Sequence, residues 1–277
     1  ASVAAADVTF SGMGRFGVLY TGKDGATAAS TKVTSRLDIN TNVSAESDSG
    51  VTFGSMLRIR ANGGAAAAMN GARFYAKSGG FEVAVGNIHG GMDSMPGAYG
   101  QSAPGLTGLS YAGLVTTSSH SYSGAAAGAG SAQEAAEVKY SFGDFKTHVS
   151  HNGTDTEGFA AYTMNGWTVA VAASNTKVAA NTKSAMTVSG ALGGVNVGLA
   201  NAKTYGNKSQ TTISASTSVG AATTVNAYYN TNDANASTDK KSYGIGLAHD
   251  LGGATLKTGI EKTKKVTSAD FGVVFNF

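Results

Sequence analysis

The stretch Ser268-Ala-Asp-Phe-Gly-Val-Val-Phe-Asn-Phe277 limits what this chain can fold into more than any other part of it. In an extended strand Phe271, Val273, Phe275 and Phe277 fall on one face, and Asp270, Gly272 and Asn276 fall on the other. A closed membrane barrel asks this of its last strand. It must pair back to the first strand, leave no backbone group unbonded, and turn an apolar face to lipid. A soluble domain rarely finishes on an amphipathic strand with a terminal aromatic. The expectation is therefore an all-β chain, with 1–277 a single barrel domain.

Alternation at period two runs along the rest of the sequence. Val8, Phe10, Phe16, Val18 and Tyr20 share one face of the first segment, with Thr9, Ser11, Met13 and Arg15 opposite. The same reading places strands at 33–43, 51–60, 73–77, 81–85, 137–142, 145–151, 159–164 and 167–173. It continues with 185–192, 195–201, 211–219, 223–231, 242–251, 254–262 and 266–277, sixteen in all. Short turn sequences join alternate pairs, among them Ser78-Gly79-Gly80, Gly143-Asp144, Asn165-Gly166, Gly193-Gly194 and Gly252-Gly253. Longer polar segments join the others. An even strand count with tight turns at one end is the pattern of a single-chain bacterial barrel. A sandwich would bury both faces and a propeller would repeat a fixed motif, and neither is visible.

Composition narrows the field further. Of 277 residues 42% are hydrophobic and 13% charged, with 39 Gly and 2 Pro, too little Leu and Ile for an ordinary globular core of this size. Scarce Pro suits many paired strands. No stretch approaches 18 apolar residues, so helical membrane spans are not expected. The absence of Cys fits export to an oxidising compartment. A net charge of +3, not gathered on one helix or stripe, argues against a nucleic-acid partner. Ala1 to Asp7 resembles the small-residue sequence around a signal cleavage site, which leads to the expectation of a mature chain.

Particular residues then point to a family. Gly12-Met-Gly-Arg-Phe-Gly17, Ser35-Arg-Leu-Asp-Ile-Asn40, Gly50-Val-Thr-Phe-Gly54, Phe81-Glu-Val-Ala-Val-Gly-Asn87 and the Phe-ended last strand resemble the general-diffusion porins of Gram-negative bacteria. The first five strands and the last carry this likeness. It implies a 16-stranded antiparallel transmembrane barrel in the bacterial outer membrane, assembled as a homotrimer among lipid and lipopolysaccharide. It also implies a long third external loop folded into the lumen, here 88–131, and passive diffusion of small hydrophilic solutes and ions. In such proteins the terminal Phe, here Phe277, is part of the assembly signal, and no cofactor or metal is required.

Charge layout gives a separate reason to expect a lined lumen. All five arginines, Arg15, Arg36, Arg58, Arg60 and Arg73, lie in the first 73 residues, each opposite the apolar stripe of its strand. With neighbouring strands about 4.8 Å apart, four of them bring these guanidiniums to one quadrant of the wall. A single Arg in that phase also fits a solvated surface, whereas five in phase fit a basic wall better. Porins with a strong transverse field carry several acids in the third loop, and here 88–131 holds only Asp93. Glu137 has the inward phase and Asp38 lies among the arginines, so Asp93, Glu137 and Asp38 form the expected acidic side. The expected outcome is a weak anion preference.

Two other classes compete. A barrel hydrolase would use His and Ser on the wall, and His148, Ser150, His151 and His249 are present by type, but no spacing pairs them. No Gly-x-Ser-x-Gly elbow and no His-Glu-x-x-His occurs. An adhesin or structural barrel would want several long external loops, and only 88–131 is long.

Overall fold

A computed structural model describes residues 6–24, 27–99, 104–109, 135–176, 182–204, 208–233 and 240–277. Its strands are β1 (Asp7–Thr21), β2 (Ser30–Glu46), β3 (Thr52–Asn62), β4 (Ala68–Met69), β5 (Arg73–Ser78), β6 (Phe81–Gly86), β7 (Ala135–Phe142) and β8 (Phe145–His151). They continue with β9 (Asp155–Met164), β10 (Trp167–Thr176), β11 (Lys183–Leu192), β12 (Val195–Thr204), β13 (Lys208–Ser218), β14 (Thr223–Asn232), β15 (Lys241–Asp250), β16 (Thr255–Thr263) and β17 (Val266–Asn276). Each strand pairs antiparallel with its neighbours, and β1 pairs with both β2 and β17, so the sheet closes. β4 is a two-residue piece paired to β3 beside β5. The other sixteen strands make a barrel without an edge, which is how a sheet satisfies its backbone inside lipid.

Turn chemistry sets the register at one end. Asn165 (φ 51°) and Gly166 (φ 78°) form the two-residue corner between β9 and β10, with both central residues left-handed. That geometry matches the twist of the paired strands, and Asn-Gly reaches it at least cost. At the other end the strands run further than their alternation. β2 begins at Ser30, β9 at Asp155 and β13 at Lys208, each ahead of the alternating segment read from sequence. There both faces are polar, so the ladder continues with no period-two signal.

The outer surface is apolar. Phe10, Phe16, Val18, Val33, Phe74, Val85, Val171, Ile213, Ile245 and Phe271 are all exposed, an arrangement that suits lipid and not water. Trp167, Tyr20, Tyr140, Phe142, Phe145, Tyr229 and Tyr243, all at or near strand ends, are exposed too. Phe159 is different. An aromatic near a strand end like the others, it stands instead opposite His148 on the inner side, its ring edge-on to His148 at 5.9 Å.

Gly12 and Gly14, on the outward face of β1, do not leave a bare patch there. Phe275 stands directly across from Gly14, and a Cβ on Gly14 would collide with its ring. Phe277 covers Gly12 in the same way, and the two residues exchange backbone hydrogen bonds of 2.8 and 3.2 Å. The glycines are covered by rings of their own chain.

The segment after β6 folds over the inner face. Met92, Met95 and Ala98 pack on Ala161, Ala170, Ala172, Ala185, Ala200 and Ala202, contributed by β9 to β12. Methyl groups on the polar face leave room that larger side chains would fill. Burying two Met side chains there contributes roughly 1.5–3 kcal/mol each. Polar contacts fix the same stretch: Gly91 N–H donates to Ser150 Oγ (2.8 Å), Met92 N–H to Glu157 Oε2 (3.2 Å), and Thr187 Oγ1–H to the Pro96 carbonyl (2.5 Å). Residues 100–103 and 110–131 of the long loop lie outside the described residues.

Candidate functional site

Register brings four of the arginines together. Arg15 of β1 lies directly across from Arg36 of β2, Asp38 across from Arg60 of β3, and Asn40 across from Arg58. Like charges facing each other on adjacent strands repel. The wall contains that repulsion with acceptors at fixed spacing. Arg60 grips Asp38 through both carboxylate oxygens at 2.6 Å each, Arg58 Nε donates to Asn40 Oδ1 (2.8 Å), and Arg36 Nε donates to Asn62 Oδ1 (2.7 Å). Arg15 donates to the backbone carbonyl of Leu106 at 3.1 Å. Asp38 is thus set inside the basic wall, where Arg36, Arg58 and Arg60 all act on it. Three guanidiniums surround one carboxylate.

Arg73 stands apart from this group. It is buried on β5, where its Nε and a terminal nitrogen approach Glu137 Oε1 at 2.6 and 2.5 Å, and it also bonds Glu82. Lys139 Nζ lies 3.3 Å from Glu137 Oε1, and His148 Nε2 lies 2.7 Å from Glu137 Oε2 without the alignment of a hydrogen bond. Glu137 is 2% exposed, so it acts at the root of the loop and not toward open solvent. A buried carboxylate needs such partners, because leaving either member unpaired costs several kcal/mol.

Asp93 lies in the segment after β6, bonded by the Tyr99 hydroxyl. Burial first, and then the neighbouring Glu157 carboxylate, push its pKa up to about 6. His89, at the root of the same segment, is pushed down to about 4 by burial and then by Lys139, so near neutral pH it carries no charge. Glu157 sits on β9, separated from β2 round the ring by β3, β5, β6, β7 and β8, so Asp93 and Glu157 belong to a different sector of the wall from Arg36, Arg58 and Arg60.

Sequence reasoning missed several groups on this inner face. Glu82 and Lys139 complete the Arg73 cluster, Tyr228 donates to Glu261 Oε2 at 2.7 Å, and Asp270 takes three bonds from the loop. All share the inward phase of their strands, the same signal that marks the arginines and Glu137. The side chains weighed as catalytic are engaged elsewhere. Ser150 accepts from the loop backbone, His151 Nδ1 lies 2.9 Å from Thr156 Oγ1, and His249 Nδ1 lies 2.8 Å from Thr223 Oγ1.

A closed antiparallel barrel, apolar outside and lined with charge inside, is the architecture of a bacterial outer-membrane β-barrel protein. The family model for the Gram-negative porins matches residues 1–266, and the chain belongs to that family and to that membrane. It is similar to a porin of Fuscovulum blasticum, 38% identical over 96 residues, a match that takes in 34% of this chain and 33% of the relative. In that match the chain spans about a third of the relative's length. Among solved structures it is similar to a triple mutant of Rhodopseudomonas blastica porin, with TM-score 0.86, 25% identity, and 98% of this chain and 100% of the other covered. A second mutant of the Rh. blastica porin gives TM-score 0.85 at 25% identity over the same shares. Membership of this family points to a channel rather than an enzyme.

Proposed function

We propose that the barrel is a water-filled channel for passive diffusion of small hydrophilic solutes and ions, with a weak preference for anions. The observation that carries this reading is the lining. Arg36, Arg58 and Arg60 stand around the single carboxylate of Asp38 on the inner face, where neither lipid nor a packed apolar core can take up their charge. Such a cluster is stable only in contact with water. The loop from 88 to 131 narrows the lumen, and selection comes from the size of the opening and the field of the arginines. The family's habits further support a homotrimer held in lipid and lipopolysaccharide.

Purified protein added to a planar bilayer should give stepwise conductance that grows with salt concentration. Under a salt gradient at low ionic strength, the reversal potential should indicate anion preference. An absence of steps from folded protein would overturn the reading. Deleting 97–130 should raise the conductance of a folded barrel, and unchanged conductance would place the loop outside the lumen.

A further inference from the structure

Beyond its first contacts, the loop returns to the wall at Pro104 to Leu109, on the opposite side of the barrel from the alanine patch. Here the wall is bare. A Cβ at Gly259 of β16 would come within 2.6 Å of Gly105 N, and one at Gly246 of β15 within 2.9 Å of Pro104 Cα. At both Gly17 of β1 and Gly272 of β17 it would come within 2.6 Å of a Leu106 methyl. Four glycines on four adjacent strands thus leave a lane deep enough for a backbone to lie against the sheet, which is one of the few reasons to place Gly inside a strand.

One side chain fastens the segment into this lane. Asp270 of β17, 4% exposed, accepts from Leu106 N–H (2.9 Å) through Oδ1, and from Thr107 N–H (2.7 Å) and Thr107 Oγ1–H (2.7 Å) through Oδ2. Gly105, at φ +77°, supplies the left-handed turn that aims these donors at the carboxylate. The Leu106 carbonyl is held in turn by Arg15 of β1 (3.1 Å). Leu106 is therefore pinned at both its N–H and its C=O, by two strands that pair with each other where the barrel closes.

We infer that Asp270, with the glycine lane, is the latch that holds the returning limb of the loop against the β1–β17 seam, and that this positioning residue sets the width of the opening. The inference rests on the channel reading given above and deepens it. A carboxylate suits the role because bonds from N–H and O–H donors to an ionised acceptor are shorter and stronger than neutral ones. Two oxygens also satisfy three donors that would otherwise be orphaned against the sheet. Arg15 has a different place in this arrangement from its partners on the basic wall, since it holds the loop as well as adding charge.

The chain has no Cys, so a single Leu106→Cys is a clean reporter. In the otherwise native barrel it should react slowly with a water-soluble maleimide, since Leu106 is 4% exposed. Adding Asp270→Ala should speed labelling by about tenfold or more, given the loss of three bonds to one charged acceptor. It should also raise single-channel conductance and current noise. Asp270→Asn keeps the size and one acceptor but sets an NH2 group toward the Thr107 donors, so it should fall between the two, and it stands in if the Ala variant does not fold. Native labelling rates and native conductance in the folded Asn or Ala variant would overturn the latch. Labelling requires no current, so a folded Leu106→Cys barrel that labels slowly, and faster once Asp270→Ala is added, but passes no ions would sink the channel reading and leave the latch standing.

Discussion

Phe275 lies directly across the β1–β17 seam from Gly14, with its ring in the space a side chain on Gly14 would fill. Tyr75 covers Gly54 in the same way, and Trp167 covers Gly190. Each glycine alone would weaken its strand, and each ring restores the lost packing from the neighbouring strand. Filling the space from the glycine side should therefore be harmful. Gly14→Val should cost about 1–3 kcal/mol through overpacking, and it should lower the folded fraction seen as heat-modifiable mobility on a gel. Removing Phe277, which covers Gly12 and bonds its backbone, should lower folded yield sharply, and normal yield would count against its role in assembly.

Selectivity should follow the wall. Changing Arg36, Arg58 and Arg60 together to Ala removes three positive charges beside Asp38, so the reversal potential should move toward cations with conductance similar or higher. The Debye length falls from about 10 Å at 0.1 M to about 3 Å at 1 M salt, so the difference between wild type and variant should shrink as salt rises. A wild-type channel already cation-selective at low salt would show that Asp38, Asp93 and Glu137 outweigh the arginines.

Asp93 gives the channel a pH dependence with a definite sign. Its pKa in the folded protein, about 6, lies above the ordinary 3.8, so the folded state holds this proton the more tightly. The stability linked to it is fully present below the ordinary value and is lost as pH rises through about 6. Lowering pH from 7 to 5 should therefore neutralise Asp93, firm the seat of the loop beside Glu157, and increase anion preference. In Asp93→Asn this step in reversal potential should vanish. A step of equal size in that variant would assign it to another group.

The Arg73 cluster should reveal itself in stability. Glu137→Gln leaves Arg73 buried with only part of its counter-charge, and breaking a pair of this kind costs about 3–5 kcal/mol. The denaturant midpoint of the folded barrel should fall accordingly. Replacing both partners, Arg73→Met with Glu137→Leu, should cost less than the single change, because no uncompensated charge is left behind. A double variant worse than the single would mean that Lys139 and His148 depend on Glu137 more than Arg73 does.

The barrel was legible in the sequence because a half-buried strand has an unmistakable period and its tight turns need particular residues. Val33, Leu37, Ile39 and Val43 mark β2, and Asn165-Gly166 marks the corner after β9. Strand ends beyond the alternation, such as 30–32 and 155–158, carry no such mark because both faces are polar there. Within the site the arginines were readable by phase. Asp270 was readable only as a polar position on the last strand, since its donors at 106 and 107 are over 160 residues away. The alanines and glycines of the inner wall were less legible still, because a small residue on a polar face looks like filler until something is found lying on it.

Pairing of β1 with β17 has a consequence for the order of events in making this protein. The contact that removes the last exposed strand edge joins residues such as Gly17 and Gly272, nearly the whole chain apart. No shorter piece of the chain has all its ladders satisfied, so a partly translated chain has no resting state in lipid. Contacts of such sequence separation also form slowly. The polypeptide must therefore travel as an open, sparingly apolar string, and membrane insertion and ring closure become one late, concerted event.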